Sequence, residues 1–287
     1  MHPATSRDAS RPADPATVAR LEEIAARMRV DIIEMLARAG SGHPGGSLSA
    51  IDMVTALYFD VLKHDVKNPA WGERDRFVLS KGHAVPAVYA VMAEAGYIPK
   101  DELATLRQQG SRLQGHPVSY FVHAPGVEAN TGSLGQGLSV AQGMAMAAKL
   151  DGASWRTYCM LGDGEMQEGQ CWEALMSAPK YGLDNLTAIL DYNKGQIDGP
   201  TDEVMSLEPL DQKLAAFNWH VIRIDGHDIG QFLEAVAEAQ NVTGKPVFII
   251  ADTVKGKGVS FMEGRIEWHG SAPNAEQTKQ ALAELKR

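Results

Sequence analysis

Two stretches of this 287-residue chain, TYCMLGDG at 157–164 and LTAILDYN at 186–193, are the clearest guides to its fold. Each is a short apolar run that ends in Gly, Asp or Asn, and a helical pattern from 169 to 181 separates them. Two further strand-like runs, 220–224 and 247–251, follow with another helical pattern between them. Because such alternation is typical of parallel sheets, the sequence predicts an α/β fold, a parallel sheet with helices on both faces.

The N-terminal part is predicted to be helical. Apolar residues recur every three or four positions between 15 and 39, which indicates an amphipathic helix. Ser47 is the expected N-cap of a second helix that runs to Leu62. We expect one domain over 17–287, preceded by a mobile tail over 1–16, which is polar and rich in Pro, Ala and Asp.

Composition excludes several classes of protein. The net charge of −9 argues against sequence-independent binding to nucleic acid or anionic lipid. No apolar stretch is long enough for a signal peptide or a membrane span. The two cysteines, Cys159 and Cys171, lack metal-binding spacing and favour a reducing compartment. We therefore expect a cytoplasmic protein without nucleic-acid or membrane partners.

Polar oxygen ligands follow two of the predicted strands. Parallel sheets bind ligands outside the carboxyl ends of their strands, where Asp163 and Asn193 would lie side by side. With the carbonyl of Gly195 they form a set of oxygen ligands that suits Mg²⁺ or Ca²⁺. Gly162 and Gly164 would let a diphosphate approach the backbone, and the next helix would add amide donors. Alone, Gly-Asp-Gly is more often a simple turn; the flanking strands and helix favour the ligand site.

Eight motifs occur in a characteristic order: SGHPGG at 41–46, DRFVLSKGH at 75–83, GHP at 115–117, GSLGQG at 132–137, GDG at 162–164, Asn193, IDG at 197–199 and WHG at 268–270. With them the chain resembles the cofactor-diphosphate-binding half of a transketolase, over about residues 17 to 275. Full-length transketolases carry two further domains, so the chain is similar to the N-terminal subunit of a split transketolase.

The resemblance implies thiamine diphosphate as cofactor and Mg²⁺ or Ca²⁺ held by Asp163, Asn193 and the Gly195 carbonyl. The cofactor-binding residues that it implies are His83, Gly132, Ser133, Leu134, Gly162, Asp163, Gly164, Glu165, Asn193, Lys255 and His269. Ser133 replaces a common proline and Gly195 a common bulky aliphatic residue, and both changes bear on cofactor affinity.

The resemblance also implies catalytic roles for His43, His83, His116 and His269. Of these, His43, His116 and His269 would bind substrate hydroxyls and shuttle protons. Imidazole suits this work because its ordinary pKa lies near neutral pH. The other histidines are read as surface or core residues; among them, His227 in Asp225-Gly226-His227-Asp228 is placed in a turn and receives no role.

The implied reaction is the transfer of a two-carbon ketol unit from a ketose, expected to be phosphorylated, to an aldose. A partner chain with the pyrimidine-binding domain would supply a glutamate, and the implied assembly is an α2β2 heterotetramer. The alternatives are a component of another thiamine-diphosphate enzyme (1-deoxyxylulose-phosphate-synthase-like or 2-oxo-acid-dehydrogenase-like) and a non-catalytic module of the same fold. The histidines favour ketol transfer because they suit a hydroxylated sugar better than a 2-oxo acid. The sequence names neither the sugars nor the pathway.

Overall fold

The structure, a computed structural model, describes residues 13–120 and 123–286. Most of the predicted N-terminal tail therefore lies outside the described residues. The first helix, α1 (Pro15–Ala39), begins two residues before the predicted domain boundary at 17. Asp14 caps it, since its carboxylate accepts the Thr17 N–H at 3.1 Å.

A parallel sheet of five strands forms the centre of the described part of the chain, in the order β1-β2-β3-β7-β6. Its strands are β1 (Arg76–Leu79), β2 (Thr157–Gly162), β3 (Leu186–Tyr192), β6 (His220–Asp225) and β7 (Val247–Asp252). The predicted parallel sheet is confirmed. The sequence did not predict the small antiparallel hairpin of β4 (Gly195–Gln196) and β5 (Gly199–Pro200).

Helices cover both faces of the sheet, as predicted. They are α2 (Pro44–Ala56), α3 (Val85–Ala95), α4 (Gly137–Asp151), α5 (Gly169–Lys180), α6 (Thr201–Met205), α7 (Leu210–Ala216), α8 (Ile229–Asn241) and α9 (Ala275–Leu285), in addition to α1. The short α6 and α7 were not predicted. No helix within 13–120 and 123–286 is long and apolar enough to cross a membrane.

Alternate side chains of each strand enter two separate apolar cores. Tyr158 and Met160 of β2 join the core beneath α1, α2, α3 and α8, whereas Cys159 and Leu161 join the core beneath α4, α5 and α7. This alternation is the period of two that an extended strand imposes. Both faces of β2 and β3 are fully buried, which explains why these runs are almost wholly apolar.

The start of α2 differs from the prediction. The helix begins at Pro44 rather than after Ser47, and the Ser47 hydroxyl donates a hydrogen bond to the His43 carbonyl at 2.7 Å. Proline suits the first position of a helix because its φ is already helical and no N–H is lost there. His43 consequently stands immediately before the helix.

Candidate active site

The carboxyl ends of β2 and β3 carry the predicted metal ligands. These neighbouring strands pair Gly162 with Asp191, so Asp163 and Asn193 leave the sheet at the same edge. The Asp163 carboxylate is buried; its Oδ1 accepts the Gly164 N–H at 2.8 Å, while Oδ2 has no partner among the described residues. Burial raises the pKa of Asp163 to about 6, against the opposing charge of Lys255. Burying a carboxylate oxygen without a partner costs free energy, and a bound cation or a hydrogen-bond donor would offset that cost.

Asn193 is oriented by the residues on either side of it. Its Nδ2 donates to Asp191 at 3.1 Å, and its Oδ1 accepts the Gly195 N–H at 3.3 Å. Within the described ranges no group of three or more His, Cys, Asp or Glu could hold a metal ion. A cation at this edge would therefore need amide and carbonyl oxygens, which Asn193 and Gly195 offer beside Asp163.

Lys255 lies in the loop after β7 and brings a buried positive charge to the same edge. Its ammonium is 3.4 Å from Nδ1 of His269, and burial lowers the pKa of Lys255 to about 8, with Asp163 opposing the shift. The lysine stem crosses the start of α2 so closely that a Cβ on Gly45 would lie 2.7 Å from its Cγ. Glycine is needed at 45 because of this approach.

The histidines predicted to be catalytic come together although they span the sequence from 43 to 269. The ring centroid of His43 lies 5.2 Å from that of His83, 6.2 Å from that of His116 and 5.6 Å from that of His269. His83 and His269 are 5.0 Å apart. All four residues are partly exposed. They form a cluster open to solvent beside Lys255.

The pKa values of these imidazoles differ from the expectation of near-neutral groups. Burial is the main cause, and it lowers the pKa of His43 to about 4 and that of His269 to about 3, with further contributions from nearby positive charges. The pKa of His83 falls well below its ordinary value and that of His116 also falls. At neutral pH each ring is therefore neutral in this chain, and a neutral imidazole both donates and accepts hydrogen bonds.

The Gly132-Ser133-Leu134 segment lies against this cluster. A Cβ on Gly132 would lie 2.8 Å from Cδ2 of His116, and the φ of Gly132 is +134°, so the position requires glycine. The preceding Thr131 hydroxyl donates to the Leu79 carbonyl at 2.7 Å and holds the segment over the end of β1. Ser133 is exposed and Leu134 partly buried.

The side chain of Glu165 points into the protein. The Ser80 hydroxyl donates to its carboxylate, and so do the N–H groups of Gly135 and Gly162, each at 3.1 Å. Burial raises the pKa of Glu165, against these hydrogen bonds. As a predicted cofactor contact, Glu165 would act through its backbone, because both carboxylate oxygens are engaged within the chain.

Sequence reasoning missed a buried ion pair beneath the metal ligands. Lys81, only 1% exposed, pairs with the fully buried Asp191. The ammonium also donates to the Gly46 carbonyl at 3.0 Å, so the pair joins β3 to α2. The available signal was an aspartate inside an otherwise apolar strand, since a buried carboxylate needs a partner.

Arg107 was also missed. Its guanidinium passes over Gly115, where a Cβ would lie 2.7 Å from Nε, and it lowers the pKa of both His43 and His116. No sequence pattern marks this arginine, because its position depends on a loop without periodicity.

Comparisons with known proteins show the family to which the chain belongs. A family model described as "Transketolase, thiamine diphosphate binding domain" matches residues 21–286. The chain is 44% identical over 268 residues to one of the subunits of the apulose-4-phosphate transketolase of Phocaeicola vulgatus, covering 93% of this chain and 94% of that protein. It is 48% identical over 255 residues to the 6-deoxy-6-sulfo-D-fructose transketolase subunit SqwG of a Clostridium species, covering 89% and 92%.

Among solved structures, transketolase from Campylobacter jejuni superposes with a TM-score of 0.88 at 35% identity, covering 94% of this chain and 43% of that one. The chain thus spans nearly the whole of the two subunits but less than half of this longer transketolase. By sequence match and by fold, the chain belongs to the transketolase family and corresponds to its thiamine-diphosphate-binding domain.

Proposed function

We propose that this chain is the diphosphate-binding subunit of a two-component transketolase, which transfers a two-carbon ketol unit from a ketose, expected to be phosphorylated, to an aldose. The observation that carries the proposal is the convergence of the four imidazoles of His43, His83, His116 and His269 in one cluster with Lys255, whose charge also acts on the half-partnered carboxylate of Asp163. Thiamine diphosphate, when bound, would supply a carbon nucleophile for the ketose carbonyl. The protein residues hold and orient the reacting groups.

The diphosphate end of the cofactor would bind at the carboxyl edge of the sheet. Asp163, Asn193 and the Gly195 carbonyl would hold Mg²⁺ or Ca²⁺, whose positive charge would favour binding of the diphosphate. Lys255 is buried there and would offset the negative charge of the diphosphate. The remaining proposed contacts surround these groups: His83, Gly132, Ser133, Leu134, Gly162, Gly164, Glu165 and His269.

Two of the four histidines, His43 and His116, would act on the sugar. In the unprotonated state, the rings of His43 and His116 can each accept a proton from a hydroxyl or donate a hydrogen bond to one. Both residues are partly exposed, and the guanidinium of Arg107 acts on both rings, so this side of the cluster would suit a hydroxylated, negatively charged molecule. His83 and His269 lie nearer to the buried cations Lys81 and Lys255, on the proposed diphosphate side.

A partner chain would complete the site. The Phocaeicola relative is named as one subunit of its transketolase, which supports a two-component enzyme. We propose that the partner binds the aminopyrimidine ring and contributes the glutamate that this cofactor class needs, and that two copies of each chain assemble as an α2β2 heterotetramer.

The test is reconstitution. This chain would be mixed with the product of an adjacent gene that encodes a pyrimidine-binding domain, in the presence of thiamine diphosphate and Mg²⁺. Ketol transfer would be assayed with fructose 6-phosphate, with unphosphorylated fructose and with a sulfonated ketose, because the two relatives are named for a sugar phosphate and a sulfosugar. We expect turnover only when both chains are present. Turnover by this chain alone would contradict the two-component proposal.

A further inference from the structure

His227, in the loop between β6 and α8, makes two hydrogen bonds that fix its tautomer. The Val254 N–H donates to Nε2 of His227 at 2.9 Å, so Nε2 must be unprotonated. Nδ1 therefore carries the proton, and it lies 2.8 Å from Oδ2 of Asp52. The ring is a neutral bridge that accepts on one side and donates on the other.

The two ends of this bridge belong to segments that carry the proposed active site. Asp52 lies on α2, the helix that His43 immediately precedes. Val254 immediately precedes Lys255, whose ammonium contacts His269. His227 thus connects the helix behind one histidine to the loop that carries the buried cation.

Neighbouring contacts make the connection stiff. Arg29 donates to Oδ2 of Asp52 at 2.6 Å and, through Nε, to the Lys257 carbonyl at 3.4 Å. On the other side of Lys255, the Gly256 N–H donates to the Gly45 carbonyl at 3.0 Å. The 254–257 backbone is therefore tied to α1 and α2 at three points, and His227 holds the one directly before Lys255.

The 225–228 turn is itself docked on β7. The Gly226 N–H donates to the Asp252 carbonyl at 2.8 Å, and a Cβ on Gly226 would lie 2.5 Å from Cγ2 of Thr253. Only a glycine allows this approach without displacing Thr253. The tight turn places the ring of His227 against the Val254 peptide. The Asp225-Gly226-His227-Asp228 sequence therefore has a structural role.

We propose that His227 is a positioning residue: by bridging Asp52 and the Val254 peptide, it holds Lys255 in place against the start of α2 and beside His269, where Lys255 would meet the cofactor diphosphate. The role of Lys255 toward the cofactor rests on the proposed function. The ordering of the loop by His227 does not.

Two variants separate the bridge from the bulk of the ring. His227→Phe keeps a ring but removes both hydrogen bonds, and it leaves the Val254 N–H and Asp52 short of a partner. His227→Gln restores a donor and an acceptor on one planar group, since its amide can accept from Val254 and donate to Asp52. The matched control is His64→Phe, because His64 is also partly buried and also makes two hydrogen bonds, to Tyr97 Oη and the Tyr58 carbonyl, each at 2.8 Å.

Two readouts are needed. The first is amide hydrogen exchange at Val254, Lys255 and Gly256 in this chain; the second is the calorimetric Kd for thiamine diphosphate with Mg²⁺ in the complex with the partner chain. We expect His227→Phe to speed exchange at these amides and to raise the Kd about tenfold, because the loss of both hydrogen bonds would let Lys255 move from its place beside His269. His227→Gln should recover most of both, and His64→Phe should lower the melting temperature while leaving both near wild type.

The outcomes decide separate points. Unchanged exchange and unchanged Kd in His227→Phe would overturn the proposal, and so would faster exchange with an unchanged Kd, since the loop would then be ordered without serving the cofactor. An equal rise of Kd in His64→Phe would reduce the effect to stability and also overturn it. If the wild-type complex bound no cofactor, the proposed function would fail, while the exchange data would still decide whether His227 orders the loop.

Discussion

The ends of β2 and β3 carry two buried aspartates, one residue out of register, with opposite environments. Asp191 is fully buried and accepts hydrogen bonds from four side chains: Lys81, Ser49, Thr253 and Asn193. Despite the cost of burial, Lys81 and these hydrogen bonds hold the pKa of Asp191 below its ordinary value. Asp163 is buried almost as deeply, yet only one of its oxygens has a partner among the described residues, and its pKa is raised.

The difference separates a carboxylate whose two oxygens both have partners within the chain from one that, in the proposed function, would bind a metal ion. Asp191 is satisfied within the chain and joins β3 to α2 through Lys81. Burial disfavours the ionised form of Asp163, and among the described residues the charge of Lys255 offsets this effect only in part. A divalent cation would stabilise the ionised carboxylate. Metal binding should therefore raise the free energy of unfolding of this chain, as well as favour binding of the diphosphate.

The largest expected effect on folding comes from Asp191→Asn. It leaves the buried ammonium of Lys81 without its counter-charge, which should lower the free energy of unfolding by about 3–5 kcal/mol. Urea denaturation of the metal-free chain measures this loss.

Asp163→Asn is the matched control and should be neutral or stabilising at pH 7 without metal. The folded pKa of Asp163 is about 6 against an ordinary 3.8, so its ionisation disfavours the folded state above that range. Equal destabilisation by both substitutions would remove the distinction between the two aspartates.

Substitutions of the four histidines should fall into two pairs, one that affects turnover alone and one that also affects cofactor binding. His43→Ala and His116→Ala should leave cofactor binding near wild type and cut turnover by about 10²- to 10⁴-fold, as is typical for general acid–base groups. His83→Ala and His269→Ala should weaken cofactor binding as well, because these rings lie beside Lys81 and Lys255. Steady-state kinetics and calorimetry on the complex test this; equal loss of cofactor binding in all four variants would contradict it.

Asn193→Ala should weaken metal-dependent cofactor binding less than substitutions that remove the charge of Asp163. The substitution removes a neutral oxygen ligand and the donor to Asp191, for which a loss of about 1–3 kcal/mol is expected. Calorimetric titration with thiamine diphosphate and Mg²⁺ measures it, with Asn241→Ala, which removes an amide far along α8, as control. A larger loss than that of Asp163→Ala would mean that the anionic ligand has been misplaced.

The smallest effect is expected from Arg107→Gln. The guanidinium lowers the pKa of His43 and His116, after the larger contribution of burial, so its removal should raise both pKa values modestly. The pKa of His269, for which Arg107 is not a cause of the shift, should stay unchanged. NMR titration of the histidine ring protons distinguishes these cases, and no change at His116 would place Arg107 away from the cluster.

Much of the fold could be predicted because its determinants are local. The runs of β2 and β3 have the apolar composition and length of buried strands, and the predicted helix over residues 15–39 matches α1. The predicted start of α2 was wrong because Ser47 was preferred as the N-cap, whereas the helix begins with Pro44 at its first position.

The candidate site was predictable only through ordered motifs, because spacing alone does not bring His43 and His269 together. The bridge made by His227 and the place of Arg107 depend on tertiary contacts between distant loops, for which the sequence has no periodic signal. The lowered pKa values of the histidines follow from burial and neighbouring cations, and neither is visible before the chain is folded.

The most direct test of the account is calorimetric titration of the complex with thiamine diphosphate, with and without Mg²⁺, for wild type and Asp163→Ala. Asp163 is the one anionic ligand in the proposed metal set, and its Oδ2 is the buried oxygen without a partner among the described residues. We predict Mg²⁺-dependent binding in the wild type and its loss in Asp163→Ala, while thermal denaturation shows the variant to be folded. Binding by Asp163→Ala as tight and as Mg²⁺-dependent as that of the wild type would contradict the proposed site.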